Sequence, residues 1–163
     1  MCLECVLARF SAAILVFLLI GSLAAAGAND PVKPGPGDKC PVCGMFAAKY
    51  PEFLSQMVFR DGSSAFFDGP KDLFKCYLNR SRYLPSKNKI DVAALFVKDY
   101  YSLAVIDART AFFVVGSDIR GPMGSELIPF RKKAEAAEFQ KDHQGKRTLR
   151  FNEVTAFLLK EME

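Results

Sequence analysis

Gln56-Met57-Val58-Phe59-Arg60-Asp61-Gly62-Ser63-Ser64-Ala65-Phe66-Phe67-Asp68-Gly69-Pro70 reads as two short apolar runs on either side of a tight turn, followed by a helix start. Asp61-Gly62 favours a β-hairpin because both residues tolerate positive φ at the centre of a two-residue turn. Asp68 and Pro70 are residue types that open helices, and Leu73, Phe74, Tyr77 and Leu78 then recur at helical spacing. The unit is therefore strand, strand, short amphipathic helix.

Further along the chain, residues 79–89 are basic and polar and read as a solvated surface loop. Residues 90–97, 101–106 and 111–115 are rich in Val, Phe, Tyr and Leu and read as strands. Gly121, Pro122 and Gly124 exclude regular structure from residues 116–126. A short strand at 127–130 is followed by a helix over 133–143, with Ala134, Ala137 and Phe139 on or near one face and Gly145 ending it. Residues 148–151 form a last strand, and Asn152 is expected to cap a final helix through Met162. Both halves end in strand, helix, strand order, and each carries a Met next to a Gly, in Gly44-Met45 and Met123-Gly124. This points to an internal duplication.

The 163 residues are 50% hydrophobic and 25% charged, with a formal net charge of +4, enough for one compact domain and too few for a multidomain enzyme. That charge lacks the single-sign excess of a disordered or strongly nucleic-acid-binding chain, so no nucleic-acid partner is expected. From Phe10 to Ala28 there is no charged residue, and the stretch runs from Arg9 to the small residues Ala26-Gly27-Ala28. Residues 1–28 therefore read as a secretory signal with cleavage before Asn29. If cleavage did not occur, residues 10–28 would serve as a membrane anchor, and in both cases the rest of the chain is exported to the periplasm. Residues 29–39 hold Pro31, Pro34, Gly35, Pro36 and Gly37 and read as a flexible tether, leaving 40–163 as the folded domain.

Cys2 and Cys5 belong to the leading segment, so Cys40, Cys43 and Cys76 remain, an odd number that argues against a disulfide framework. Cys40-Pro41-Val42-Cys43-Gly44-Met45 places three sulfur donors in six residues. Thiolate and thioether are soft ligands that suit Cu(I) better than hard ions. If the segment is extended, Cys43 and Met45 point to the same side. A structural zinc site, a thioredoxin-like redox pair and a plain Cys40–Cys43 disulfide are the competing readings. Met123 lies between breakers in Gly121-Pro122-Met123-Gly124, where an apolar side chain has little reason to be, and is a candidate third soft ligand. Met57 reads as core and Cys76 as a packing residue of the helix. His143, the single His, reads as solvated.

Residues 40–51 (Cys-Pro-Val-Cys-Gly-Met-Phe-Ala-Ala-Lys-Tyr-Pro), 65–72 (Ala-Phe-Phe-Asp-Gly-Pro-Lys-Asp), 114–118 (Val-Val-Gly-Ser-Asp) and 121–130 (Gly-Pro-Met-Gly-Ser-Glu-Leu-Ile-Pro-Phe) closely resemble the NosL family, the copper chaperones of nitrous oxide reductase. The resemblance runs from about residue 38 to 151. It implies an α+β fold of two related ββαβ-type halves forming one compact unit, and Cu(I) delivery to apo nitrous oxide reductase and its maturation machinery at the membrane. Where many members read Gly-Pro-Met-Gly-His-Glu, this chain has Ser125, and it lacks the acylated Cys that follows the signal in many members. The reading is thus a non-enzymatic carrier holding Cu(I) between Cys43, Met45 and Met123 together with Cys40. The alternative is a periplasmic thiol-disulfide oxidoreductase using Cys40 and Cys43.

Overall fold

The computed structural model describes residues 30–163, so the expected export segment, 1–28, lies outside the described residues. Strands β1 (Ser55–Phe59) and β2 (Ser64–Phe67) form the expected hairpin, with Gly62 at its turn at φ +81°. Helix α1 (Pro70–Leu78) follows directly, and Pro70 occupies the first turn, where the missing N–H has no intrahelical partner to lose. Leu73 and Phe74 are buried and Tyr77 is half-buried, whereas Leu78 stays exposed. The short helix α2 (Arg80–Tyr83) leads to β3 (Val92–Lys98) and β4 (Val105–Asp107). The first sheet has order β2-β1-β3-β4, with every pair antiparallel.

The second half repeats the plan. Strand β5 (Phe112–Val115) pairs antiparallel with β8 (Ile128–Phe130) and with β9 (Arg147–Arg150), and helix α3 (Lys133–Asp142) connects the two flanking strands. In each half the first strand is central, flanked by the second strand and by the strand after the helix, giving the matching orders β2-β1-β3 and β8-β5-β9. The α+β fold of two related ββαβ-type halves is therefore present. Helix α4 (Ala156–Glu161) closes the chain against α1.

One core spans both halves. Met57, Phe59, Phe67, Leu73, Phe74, Cys76, Leu95 and Val97 from the first half meet Phe113, Val115, Leu127 and Leu149 from the second. Strand β5 is buried on both faces: Phe113 and Val115 enter this core, while Val114 faces a smaller cluster with Ile128, Phe130, Ala136 and Phe139 under α3. Met57 and Cys76 are core residues, as expected.

Several local expectations are corrected. Residues 101–103, expected to open the strand over 101–106, turn instead: Asp99 Oδ1 accepts from the Ser102 N–H (2.9 Å) and Oγ–H (2.6 Å), and Leu103 sits at φ 56°. The turn lays Tyr100 on Phe139 (ring centroids 4.9 Å apart) and Tyr101 on Phe130 (5.5 Å), so these aromatics pack without belonging to a strand. Residues 79–89 contain α2 and a 3-10 turn at Pro85–Lys87. Residues 116–126 hold a minimal hairpin, β6 (Arg120–Gly121) with β7 (Gly124–Ser125). Ala136 and Phe139 face the core from α3, while Ala134 and Ala137 are exposed. Thr155, whose side chain accepts from the Leu158 N–H, caps α4 in place of Asn152. His143 is not simply solvated: it stacks on Phe139 (4.3 Å between centroids), and its Nδ1 lies 2.9 Å from Asp118 Oδ1 at the end of α3.

Phe113 is fully buried and meets Phe74 edge to face at 5.1 Å, joining the central strand of one half to the helix of the other. Phe113→Ala is expected to lower unfolding free energy by about 3–5 kcal/mol in urea denaturation, because the cavity would open where the halves meet. A loss below about 1 kcal/mol would mean that the halves do not share this core.

Candidate metal centre

Residues 40–45 do not run extended. The Gly44 N–H donates to the Cys40 carbonyl (2.9 Å) and the Cys40 N–H to the Met45 carbonyl (2.8 Å), closing a tight knuckle. Gly44 takes φ +79°, a left-handed conformation costly for residues with a Cβ. Lys39 and Phe46 pair across its base. The chain therefore turns back on itself at the two cysteines, and alternation along a strand does not govern where Cys43 and Met45 point. Within the knuckle the Val42 and Cys43 N–H groups are directed at the Cys40 sulfur and the Met45 N–H at the Cys43 sulfur. Backbone donors aimed at sulfur favour thiolate, the form that binds metal. The segment 31–39 leads into the knuckle, and its Val32 N–H donates to Gln56 Oε1 on β1 at 3.1 Å.

The knuckle rests on the first turn of α1. Cys40 Sγ donates to Asp72 Oδ2 and Cys43 Sγ to Asp68 Oδ1, both at 3.3 Å. One ligand atom from each of Cys40, Cys43, Asp68 and Asp72 lies within 4.8 Å of all the others. Asp68 Oδ2 is buried beside them with no hydrogen-bond partner. A buried carboxylate oxygen left unpaired is costly, and it suits a site completed by a cation or a proton. Cys40, Asp68 and Asp72 are almost wholly buried, while Cys43 is half-buried and leads outward.

Burial pushes the Cys40 thiol far above its ordinary value, against the Cys43 and Val42 N–H groups that pull it down, and the charges of Asp72 and Asp68 push it further. Burial likewise pushes Cys43 up to about 11, with the Met45 N–H opposing and Asp68 adding to the rise. The Asp72 carboxyl is raised by burial and by the neighbouring Asp68 charge. Neither thiol is activated. A catalytic redox cysteine needs the reverse, a depressed value such as a helix N-terminus or a nearby cation confers.

The second half reaches the same helix turn through the β6–β7 hairpin. Met123, 45% exposed at its tip, is held through its backbone: the buried Lys71 donates from Nζ to the Met123 carbonyl at 2.8 Å. Glu126, just past β7, is buried and accepts at Oε1 from the Lys71 N–H (2.6 Å) and the Leu127 N–H (2.9 Å). Burial raises its carboxyl to about 8. Met45 is half-buried at the end of the knuckle. Ser125 Oγ accepts from Arg120 Nη1 at 2.7 Å across the hairpin.

Of the sequence-derived candidates, Cys40 and Cys43 share one cluster, Met45 ends their knuckle, and Met123 sits on a hairpin docked to the helix turn that supplies the carboxylates. Asp68 and Asp72 were not anticipated as site residues. Asp68 precedes α1 and Asp72 lies in its first turn, and a helix-start reading accounts for acidic residues at both places without a site.

A family model described as NosL matches residues 31–159. The copper-binding lipoprotein NosL of Stutzerimonas stutzeri is 31% identical over 140 residues, which cover 81% of this chain and 70% of that protein. The crystal structure of the copper chaperone NosL from Shewanella denitrificans superposes with a TM-score of 0.64 at 27% identity, covering 79% of this chain and 98% of that one.

In the metal-free protein the alkylation rate of Cys43 by iodoacetamide is expected to climb about tenfold per pH unit towards its midpoint near 11, following the thiolate fraction. Cys40 should label more slowly throughout. Mass-spectrometric peptide mapping across pH checks this, and a midpoint below about 8 at either residue would show an activated thiol.

Proposed function

Since the chain belongs to the NosL family, we propose that it is a copper carrier that binds Cu(I) through the sulfurs of Cys43, Cys40, Met45 and Met123 and releases it to an acceptor by ligand exchange. The observation that supports this most directly is the cluster of Cys40, Cys43, Asp68 and Asp72, with Asp68 Oδ2 buried and unpartnered. Copper is the cargo here, and the chain's residues divide the work of handling it. Soft sulfur donors suit the ion itself. The harder carboxylates already accept the thiol hydrogens and are placed to take the protons that binding displaces, one from each thiol that becomes thiolate, before passing them to water.

The knuckle N–H groups directed at the two sulfurs stabilise the charge that results. In this reading the chaperone is exported, and its acceptor is apo nitrous oxide reductase with the associated maturation machinery at the membrane. The family resemblance supports that acceptor, and the leading segment supports export. A relative described as a lipoprotein is in keeping with export as well. No helix among the described residues is long and apolar enough to cross a membrane. The thiol oxidoreductase reading is disfavoured by the raised thiols and by a knuckle followed by only a single 3-10 turn, Ala47–Lys49, and no α-helix.

Anaerobic Cu(I) titration of the purified protein against a chromophoric chelator tests the proposal. Reduced protein should take up one Cu(I), and oxidation of Cys40 and Cys43 to a disulfide should abolish that uptake, because the anionic donors are gone. Met123→Leu keeps side-chain volume and removes the sulfur, so it should weaken binding at least about tenfold while leaving the metal-free melting temperature unchanged. Equal affinity of oxidised and reduced protein would overturn the carrier reading. Wild-type affinity in Met123→Leu would remove Met123 from the site.

A further inference from the structure

The loop that carries Met123 has few contacts of its own to hold it in place. Its hairpin is two residues a side, and the Met123 side chain is exposed. Yet it is fastened to the first turn of α1 by two buried groups, the Lys71 ammonium on the Met123 carbonyl and the Glu126 carboxyl on the Lys71 N–H. The Glu126 side chain fills a niche floored by two glycines. A Cβ on Gly69 would lie 2.3 Å from Glu126 Oε2, and one on Gly121 would lie 2.9 Å from Glu126 Cγ. Gly69 is extended, at φ −163°, a conformation open to any residue, so closeness to Glu126 is what excludes a side chain there. Gly69 follows Asp68 directly, and Lys71 precedes Asp72 directly. The niche is therefore built into the same helix turn that presents both carboxylates to the cysteines.

We propose that Glu126, seated against Gly69 and Gly121, is a positioning residue that holds the Met123 loop in register with the cysteine knuckle. This rests on the reading of Met123 as a copper ligand. Glu126 itself touches no sulfur donor; it acts by fixing the distance between the loop and the start of α1, over which the knuckle also lies. Removing its carboxyl would leave the Lys71 and Leu127 N–H groups without their acceptor and free the loop from the helix. Gln retains an acceptor oxygen of the same reach. Ala at position 69 would push the carboxyl out from the opposite side.

The test is Cu(I) affinity, measured by chelator competition on purified wild type, Glu126→Ala, Glu126→Gln and Gly69→Ala, each also combined with Met123→Leu. Supporting group changes at metal sites cost about 10–100-fold in affinity, and Glu126→Ala and Gly69→Ala are each expected to lose about tenfold. Glu126→Gln should stay within about threefold of wild type because the acceptor is kept. In the Met123→Leu background the losses should shrink to less than about twofold, since a ligand that is absent cannot be mispositioned. A purely structural role would give the same loss in both backgrounds, and that result would overturn the proposal. So would wild-type affinity in both Glu126→Ala and Gly69→Ala while Met123→Leu is impaired. If Met123→Leu alone binds as wild type, the ligand reading fails and the positioning role fails with it. Should Glu126→Ala not fold, Gly69→Ala carries the same comparison.

Discussion

The first turn of α1, together with Asp68 just ahead of it, buries more charge than a helix start ordinarily holds. Asp68, Lys71 and Asp72 are each at most 3% exposed, and Glu126 reaches the same turn from the second half. Burying such groups without partners costs several kcal/mol apiece, so everything around the turn must supply donors, acceptors or opposite charge. The knuckle supplies two thiol donors, the β6–β7 loop a carbonyl for Lys71, and the helix its own N–H groups for Glu126. Even so, one oxygen of Asp68 is left unsatisfied. The three chain segments meet because this turn needs all of them.

That requirement also explains why a chain with two repeated halves has one knuckle. The halves share strand order but differ in what they carry: the first holds the cysteines and the helix start, and the second a loop inserted between β5 and β8. The duplicated scaffold provides a rigid common core, with β5 buried on both faces, and the inserted hairpin is held against the first half by polar contacts. The proposed site, assembled from two such pieces, could be altered by moving the hairpin alone, leaving the sheets intact.

Much of the scaffold was legible because hairpin and helix signals in residues 56–78 are local: Asp61-Gly62 turns by backbone sterics, and Pro70 starts a helix by its fixed φ. The sulfur residues were legible by chemical type. What could not be read was burial. Asp68-Gly69-Pro70 satisfied a helix-start reading completely, so nothing in the sequence marked Asp68 as facing cysteines twenty-five or more residues away. Tyr100 and Tyr101 have strand-forming side chains, but their ring contacts with Phe130 and Phe139 are met within a turn fastened by Asp99. Cys43 and Met45 obeyed strand alternation only as long as residues 40–45 were taken as extended. The knuckle is closed by backbone hydrogen bonds that residue types do not announce, except through Gly44.

A carrier must hold an ion firmly and still surrender it, and the burial gradient across the proposed ligands addresses both needs. Cys40 is 1% exposed, Cys43 and Met45 are half-buried, and Met123 is 45% exposed. In the proposed site a charged donor, Cys40, therefore lies innermost and a neutral thioether, Met123, outermost. A thiolate buried beside two carboxylates has a strong electrostatic reason to keep a cation, because losing it restores repulsion among three negative groups. A thioether carries no charge, and its departure leaves nothing uncompensated. Exchange would thus begin at Met123, where an acceptor's donor can replace sulfur with sulfur at the surface. The thiolates would give up the ion last, as protons return to them from water by way of Asp68 and Asp72. High thiol pKa values help that final step: a thiol that binds its proton tightly, at about 11 for Cys43, competes with the metal for the same lone pair. In the proposed carrier, the feature that makes these cysteines poor redox catalysts would therefore be the one that lets the cargo leave.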